Sequence, residues 1–183
     1  MAYPLPHPRS PLEDEDVAPW CAFDVLELPA DAGYAVLRRL PVTGPVALVR
    51  ERRMQFLVGA GSADELPGLL DWLEWGSVLL DLTALGTGGR ITAPVPPSWP
   101  GSRGAAVWLR PPEPGYEVEP TLPAFRGFAG VTAGKERGGA PDLVRLVDTA
   151  ATECHRARLL RGAVAAHRAD HVGRTKSQPL ACS

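Results

Sequence analysis

Cysteine is scarce and poorly spaced for any structural use. The three residues Cys21, Cys154 and Cys182 are an odd number at intervals that match neither a zinc nor a disulfide framework. A reduced, cytoplasmic protein is therefore expected. Long apolar runs are missing as well. None approaches the roughly 20 residues that a bilayer span needs. The opening MAYPLPHPRS has no basic segment followed by an apolar one, so no secretory leader and no membrane partner are expected. Nor is there an excess of charge. With 19 Lys and Arg against 21 Asp and Glu the formal charge is −2. The molecule as a whole thus offers no basic field to a phosphate backbone, and any nucleic-acid contact has to be local. The strong chemical signatures are absent too: there is no P-loop, GxGxxG turn, GxSxG elbow, HExxH helix or paired CxxC.

What the chain does have is an ordinary globular balance, 45% hydrophobic and 22% charged, with 20 prolines and 19 glycines in 183 residues. Proline and glycine thus make up about a fifth of the chain, against a usual share of about 12%. That excludes a long helical bundle and implies short elements joined by many turns. The charge is unevenly distributed. Glu13, Asp14, Glu15 and Asp16 form an acidic run, whereas Arg145, Arg156, Arg158, Arg161, Arg168, Arg174 and Lys176 make the end mildly basic.

Residues 1–19 read as a Pro-rich acidic arm. A first strand follows at CAFDVLEL, and then a helix over AGYAVLRRL, with Asp31 as N-cap, Tyr34, Leu37 and Leu40 on one side, and Pro41 as the stop. Pro45–Arg50 and Met54–Gly59 read as two strands of a hairpin. Ser62 and Glu65 have capping-box spacing before a helix with an apolar face of Leu66, Leu69, Leu70, Trp72 and Leu73, which Gly76 is placed to end. Ser77–Leu82 is near-continuously apolar and reads as a buried fourth strand. RITAPV and AAVWLR supply further strands. The expectation is an α+β sandwich over residues 20–112, with helices packed on a mixed sheet. A Pro/Gly-rich linker over 113–140 leads to a long C-terminal helix over 141–170 and a basic tail over 171–183. Leu143, Val147, Ala150, Cys154 and Ala157, with Leu146 beside them, form a narrow seam on that helix, suited to docking on another surface or helix.

Candidate chemistry is sparse. His167 and His171, four apart on the last helix, have a spacing that can share a metal, but no acid or Cys stands at ligand spacing, so they read as a solvated face. Cys154 falls on the apolar seam and reads as core. The more informative group is Glu27 at the end of the first strand, Arg52 and Arg53 at the hairpin, Asp81 near the end of the fourth strand, and Arg90 after the Gly-rich turn. Carboxylates at strand ends can hold Mg²⁺, and Arg beside them can hold phosphates.

The strings FDVLELPADAG, RRMQFLVGAG, DELPGLLDWLEWG and above all LLDLTALGTGGRITAPVPP followed by VWLRPP resemble the primase/polymerase (prim-pol) domain of the archaeo-eukaryotic primase superfamily. The likeness is to its actinobacterial bifunctional DNA primase/polymerases and spans about residues 20–112. In active members the first strand ends in two metal-binding acids one residue apart, a His on the next strand pair meets the nucleotide, and a later strand adds a third acid. The resemblance places these at Glu27 and Pro29, at Arg53, and at Asp81. With Pro29 in place of an acid, one ligand of the metal pair is lost. The resemblance therefore implies a catalytically degenerate module that binds nucleotide, nucleic acid or a partner protein in DNA replication or its regulation. Glu27 and Asp81 would be its vestigial metal ligands, and Arg52, Arg53 and Arg90 its nucleotide contacts. Two alternatives remain open. One is an active primase using Mg²⁺ or Mn²⁺. The other is an interaction module that takes a protein partner or a second copy through 141–170.

Overall fold

Alternating apolar positions at the start and middle of the chain, each followed by a 3.6-residue pattern, lay down β1 (Phe23–Pro29), α1 (Ala30–Arg39), β2 (Val46–Val49), β3 (Arg53–Gly59) and α2 (Ser62–Trp72). β4 (Thr83–Leu85), β5 (Ala106–Arg110) and α3 (Leu143–Thr175) complete the element order. The computed structural model describes residues 23–86, 106–112, 122–124 and 142–175. The acidic arm, the RITAPV segment with Arg90, most of 113–140 and the tail after residue 175 lie outside the described residues.

The strands take the order β4-β1-β3-β2-β5, each neighbouring pair antiparallel. β1 and β2 therefore run the same way with β3 between them, and β3 and β4 run the same way with β1 between them. This is a pair of interleaved split βαβ units, with β5 added beyond β2. The α+β expectation holds. The sheet's described pairings are antiparallel, and the one isolated parallel bridge joins Ala124 to Asp142.

Strand periodicity sorts the side chains. Leu26, Leu28, Val46, Leu48, Met54, Phe56 and Val58 face the helices and join Val36, Leu66, Leu69, Leu146 and Val147 in one core. The seam read on the last helix is buried in that same core. α3 thus closes the hydrophobic centre of its own chain, and it runs to Thr175, five residues past the expected end. Gly33 makes the approach of α1 to β3 possible, since a Cβ there would stand 2.4 Å from Met54 Sδ. Arg110, at the end of β5, reaches the other end of α1. Its guanidinium donates to Thr43 Oγ1 at 2.8 Å and to the Leu37 and Leu40 carbonyls at 3.4 Å. A cation is well placed there, at the negative end of the helix dipole.

Several local expectations are revised. α1 begins at Ala30, directly after Pro29, so Asp31 sits in the first turn, where its Oδ1 accepts the Ala32 N–H at 2.9 Å instead of capping the helix. Its buried face is Ala30, Ala32, Gly33 and Val36, continued by the C-cap residue Leu40, while Tyr34 is exposed. The hairpin is as expected. Arg52 N–H donates to Val49 O at 3.0 Å across a two-residue turn, with Arg50 and Glu51 at φ 50° and 57°. Both values lie in the left-handed region that a type I′ turn requires.

The Ser62–Glu65 capping box is not formed. Gly61 is the N-cap, at φ 86°, and the acceptor comes from β1: Asp24 Oδ2 takes the Ala63 N–H at 2.9 Å. Trp72 faces solvent, not the core. Gly76 does not end α2 either. Trp75 N–H bonds to Leu70 O and Glu74 N–H to Asp71 O, a Schellman pair in which Glu74 takes the left-handed position at φ 66°.

The expected strand over 77–82 is absent, and β4 begins only at Thr83. The cause lies in its neighbour. Thr83 pairs with Glu27, so Asp81 would have to pair with Pro29, which has no N–H to donate and ends β1. The carbonyls of this segment turn to α3 instead. Leu79 O accepts from Arg158 Nη1 at 2.5 Å, and Asp81 O accepts from Cys154 Sγ at 3.6 Å.

Candidate functional site

Glu27, Arg53 and Gln55 project from the face of β1 and β3 opposite the helices, because they alternate with the core residues Leu26, Leu28, Met54 and Phe56. The register sets Gln55 opposite Glu27 and Arg53 opposite Pro29. Asp81 arrives from the loop before β4. The result is a continuous polar chain. Gln55 Nε2 donates to Glu27 Oε2 at 2.8 Å, Arg53 Nε to Glu27 Oε1 at 2.9 Å, and Arg53 Nη1 to Asp81 Oδ1 at 2.6 Å. Exposure rises along it, from Gln55 at 5% through Glu27 at 22% to Asp81 at 51%.

Burial opposes the charge on Arg53, but the hydrogen bonds and negative charges of Asp81 and Glu27 outweigh it and hold the guanidinium's pKa above its ordinary value. Both Glu27 oxygens and one Asp81 oxygen are engaged. Two carboxylates and one guanidinium leave a net charge of −1. A cation entering between Glu27 and Asp81 has to displace Arg53. An entering phosphate can instead compete with Asp81 for the outer edge of the Arg53 fork, where bidentate geometry favours it.

The structure thus brings together three of the residues singled out in the sequence, Glu27, Arg53 and Asp81. Arg52 does not join them. It is exposed at the end of the turn, and its carbonyl accepts the Ala30 N–H at 2.8 Å. Arg90 lies outside the described residues. Gln55 was not anticipated, although a lone amide in the otherwise apolar run MQFLV is a signal for a buried hydrogen-bonding partner.

The other acidic, thiol and imidazole side chains of the described residues near this region have structural roles. Asp24 is buried on the helix side of β1 and serves the α2 terminus. Cys154 is buried against the Asp81 carbonyl. Desolvation, reinforced by the Asp81 charge, pushes its thiol up to about 12, far from a nucleophile's range. His155 lies against Trp75 with ring centroids 5.9 Å apart, and Trp75 Nε1 donates to Asp148 at 3.2 Å. His167 is exposed on the far half of α3. Among the described residues no three His, Cys, Asp or Glu side chains are grouped to hold a metal, and no helix is long and apolar enough to cross a membrane. Comparison with family models, curated proteins and solved structures finds no match.

Proposed function

We propose that the chain is a prim-pol-like module that binds nucleotide through the Arg53 cluster without polymerising it, acting in DNA replication or its regulation. The supporting observation is the bridge itself. Glu27, Arg53 and Asp81 come from three separate stretches of sequence and meet at one end of the sheet, at the positions that the resemblance assigns to two metal-binding acids and the nucleotide contact. The position of the missing acid, Pro29, stands in register with Arg53. The guanidinium offsets half of the charge of the two surviving carboxylates, where a metal pair would otherwise stand. Two-metal catalysis needs cations about 4 Å apart on a shared set of acids, and here the acids are already committed to Arg53. Mg²⁺ or Mn²⁺ is on this reading at most an ion carried in with the nucleotide phosphates.

The test is a pair of measurements on wild type and Asp81→Ala: equilibrium binding of a labelled nucleoside triphosphate, and primer synthesis on a single-stranded template with Mn²⁺. The expected result is saturable binding with no extension product from either protein. Product that disappears in Asp81→Ala would establish the active primase instead, and absence of binding would remove the nucleotide reading altogether.

A further inference from the structure

The core accounts for only the first half of α3. Its buried seam ends at Ala157, and from Arg158 to Arg168 every residue is exposed, Leu159, Leu160 and Val164 more than half so. A helix of 33 residues is about 50 Å long. The part beyond Ala157 therefore extends for about 27 Å with few of the described residues against it, although isolated helices of that length are marginal in water.

Beside this projecting half runs a groove of about 650 Å³ between α3 and α1. Its floor is apolar and shallow, formed by Ala32 and Ala35 of α1 and by Leu160 and Val164 of α3. Its rim is basic: Arg38, Arg156, Arg161 and Arg168 line it, against Asp31 and Glu153. Those two acids are already paired, Asp31 with Arg161 at 2.7 Å and Glu153 with Arg156 and Arg39 at 2.9 and 2.7 Å. Arg38 and Arg168 find no acid among the described residues.

An occupant has to be apolar at its centre and acidic at its edges. A second copy of α3 fails on charge, because it would set Arg156, Arg158, Arg161 and Arg168 against the same basic rim. A nucleic acid answers the rim but leaves Leu160 and Val164 against phosphate and sugar. The chain itself contains a segment of the required kind: Leu12, then Glu13, Asp14, Glu15 and Asp16, then Val17.

The tether reaches. Val17, the near end of the segment, precedes Phe23 by 6 residues and Leu12 by 11, spans of up to about 20 Å and about 36 Å when extended. β1 carries the chain about 20 Å from Phe23 to Pro29, and α1, which lines the groove, begins at the next residue.

We infer that the groove between α1 and α3 is the docking site of the chain's own acidic segment, residues 12–17. The four acids meet the arginine rim while Leu12 and Val17 cover Leu160 and Val164. Tethering supplies an effective concentration of about 1 mM, so a weak contact suffices to hold the segment. The inference does not rest on nucleotide binding.

The experiment uses the full-length chain and a fluorescein-labelled peptide of residues 10–20, SPLEDEDVAPW. In the receptor the arm is neutralised by Glu13→Gln, Asp14→Asn, Glu15→Gln and Asp16→Asn. The peptide binds this receptor, and binds the wild-type chain at least about tenfold more weakly because the attached segment competes. Adding Leu160→Ser with Val164→Ser, or Arg38→Glu with Arg168→Glu, abolishes binding. All four positions line an open groove, and unchanged helical ellipticity shows that the fold is kept. Equal affinity for wild-type and neutralised chains, or no binding to either, overturns the inference. So does a 20-nucleotide dT strand that binds in the peptide's place and is lost with Arg38→Glu and Arg168→Glu, as does a wild-type dimer in sedimentation that Leu160→Ser dissociates.

Discussion

Arg53 Nη1 lies 2.6 Å from Asp81 Oδ1, while Nε of the same guanidinium lies 2.9 Å from Glu27. One side chain therefore holds β3 to β1 and to the loop entering β4. Arg53→Ala leaves two carboxylates facing each other across the vacated space. With partners between a fifth and a half exposed, the expected loss is about 1 kcal/mol in urea unfolding at neutral pH. The same substitution opens the acid pair to a divalent ion, so titration calorimetry with Mn²⁺ should show affinity at least about tenfold above wild type, about 1.4 kcal/mol. Arg53→Lys restores little, because an ammonium cannot span both acids as a fork does. Unchanged stability and unchanged Mn²⁺ affinity in Arg53→Ala would mean that the bridge is incidental.

Asp24 serves a helix 39 residues away in sequence, its buried Oδ2 accepting the Ala63 N–H while Oδ1 has no hydrogen-bond partner among the described residues. Loss of the acceptor leaves the start of α2 uncapped in a buried setting. Asp24→Ala should cost about 2 kcal/mol. Asp24→Asn keeps an oxygen for Ala63 and removes a buried charge, so it should cost less than half as much. Equal losses in thermal unfolding of the two variants would show that the charge, not the acceptor, matters at this position.

These two sites show what could be read from the chain before its fold was known. The order of strands and helices was legible because Leu26, Leu28, Met54, Phe56 and Val58 alternate while Leu66 and Leu69 recur at helical spacing, and both patterns are local. The capping box was not, because Ser62 and Glu65 carry the right spacing but Asp24 competes from another strand. The position of β4 was not, because it depends on Pro29, a residue of the neighbouring strand. The sequence groups Glu27, Arg53 and Asp81 with Arg52 and Arg90 as one candidate set. The meeting of the first three through one guanidinium, with Gln55 behind it, depends on a register that no local pattern contains.

Two glutamates occupy backbone positions that favour glycine. Glu51 holds φ 57° in the hairpin turn and Glu74 holds φ 66° at the end of α2. A left-handed conformation costs a residue with a Cβ roughly 1 kcal/mol relative to glycine. Glu51→Gly and Glu74→Gly should therefore each raise stability by about 1 kcal/mol, a rise of roughly 2–4 °C in Tm for a chain of this size. Neither residue shares a partner with the other, so the double variant should be close to additive in differential scanning calorimetry. A fall in Tm for Glu74→Gly would indicate a contact of its carboxylate that outweighs the backbone strain.

Cys154 ties stability to pH in a direction that can be worked out from its surroundings. Its thiol is pushed up to about 12 in the folded chain, against about 8.5 when unfolded. The folded form therefore keeps a proton that the unfolded form releases. The corresponding stability is complete below about pH 8.5 and is lost as pH rises toward 12, by up to about 1.4 kcal/mol per pH unit. Other groups titrate in this range, so the informative quantity is the difference between wild type and Cys154→Ala. The alanine variant should be less stable at pH 7, by about 1–2 kcal/mol for the emptied space beside Ala150 and Ala157. Between pH 8 and pH 10 the difference should move by about 2 kcal/mol in favour of the alanine variant, enough to cancel or reverse the deficit, because only wild type loses the proton-linked contribution. Urea unfolding at the two pH values measures it directly. A deficit independent of pH would show that the thiolate is accommodated in the folded core, contrary to its burial against the Asp81 carbonyl.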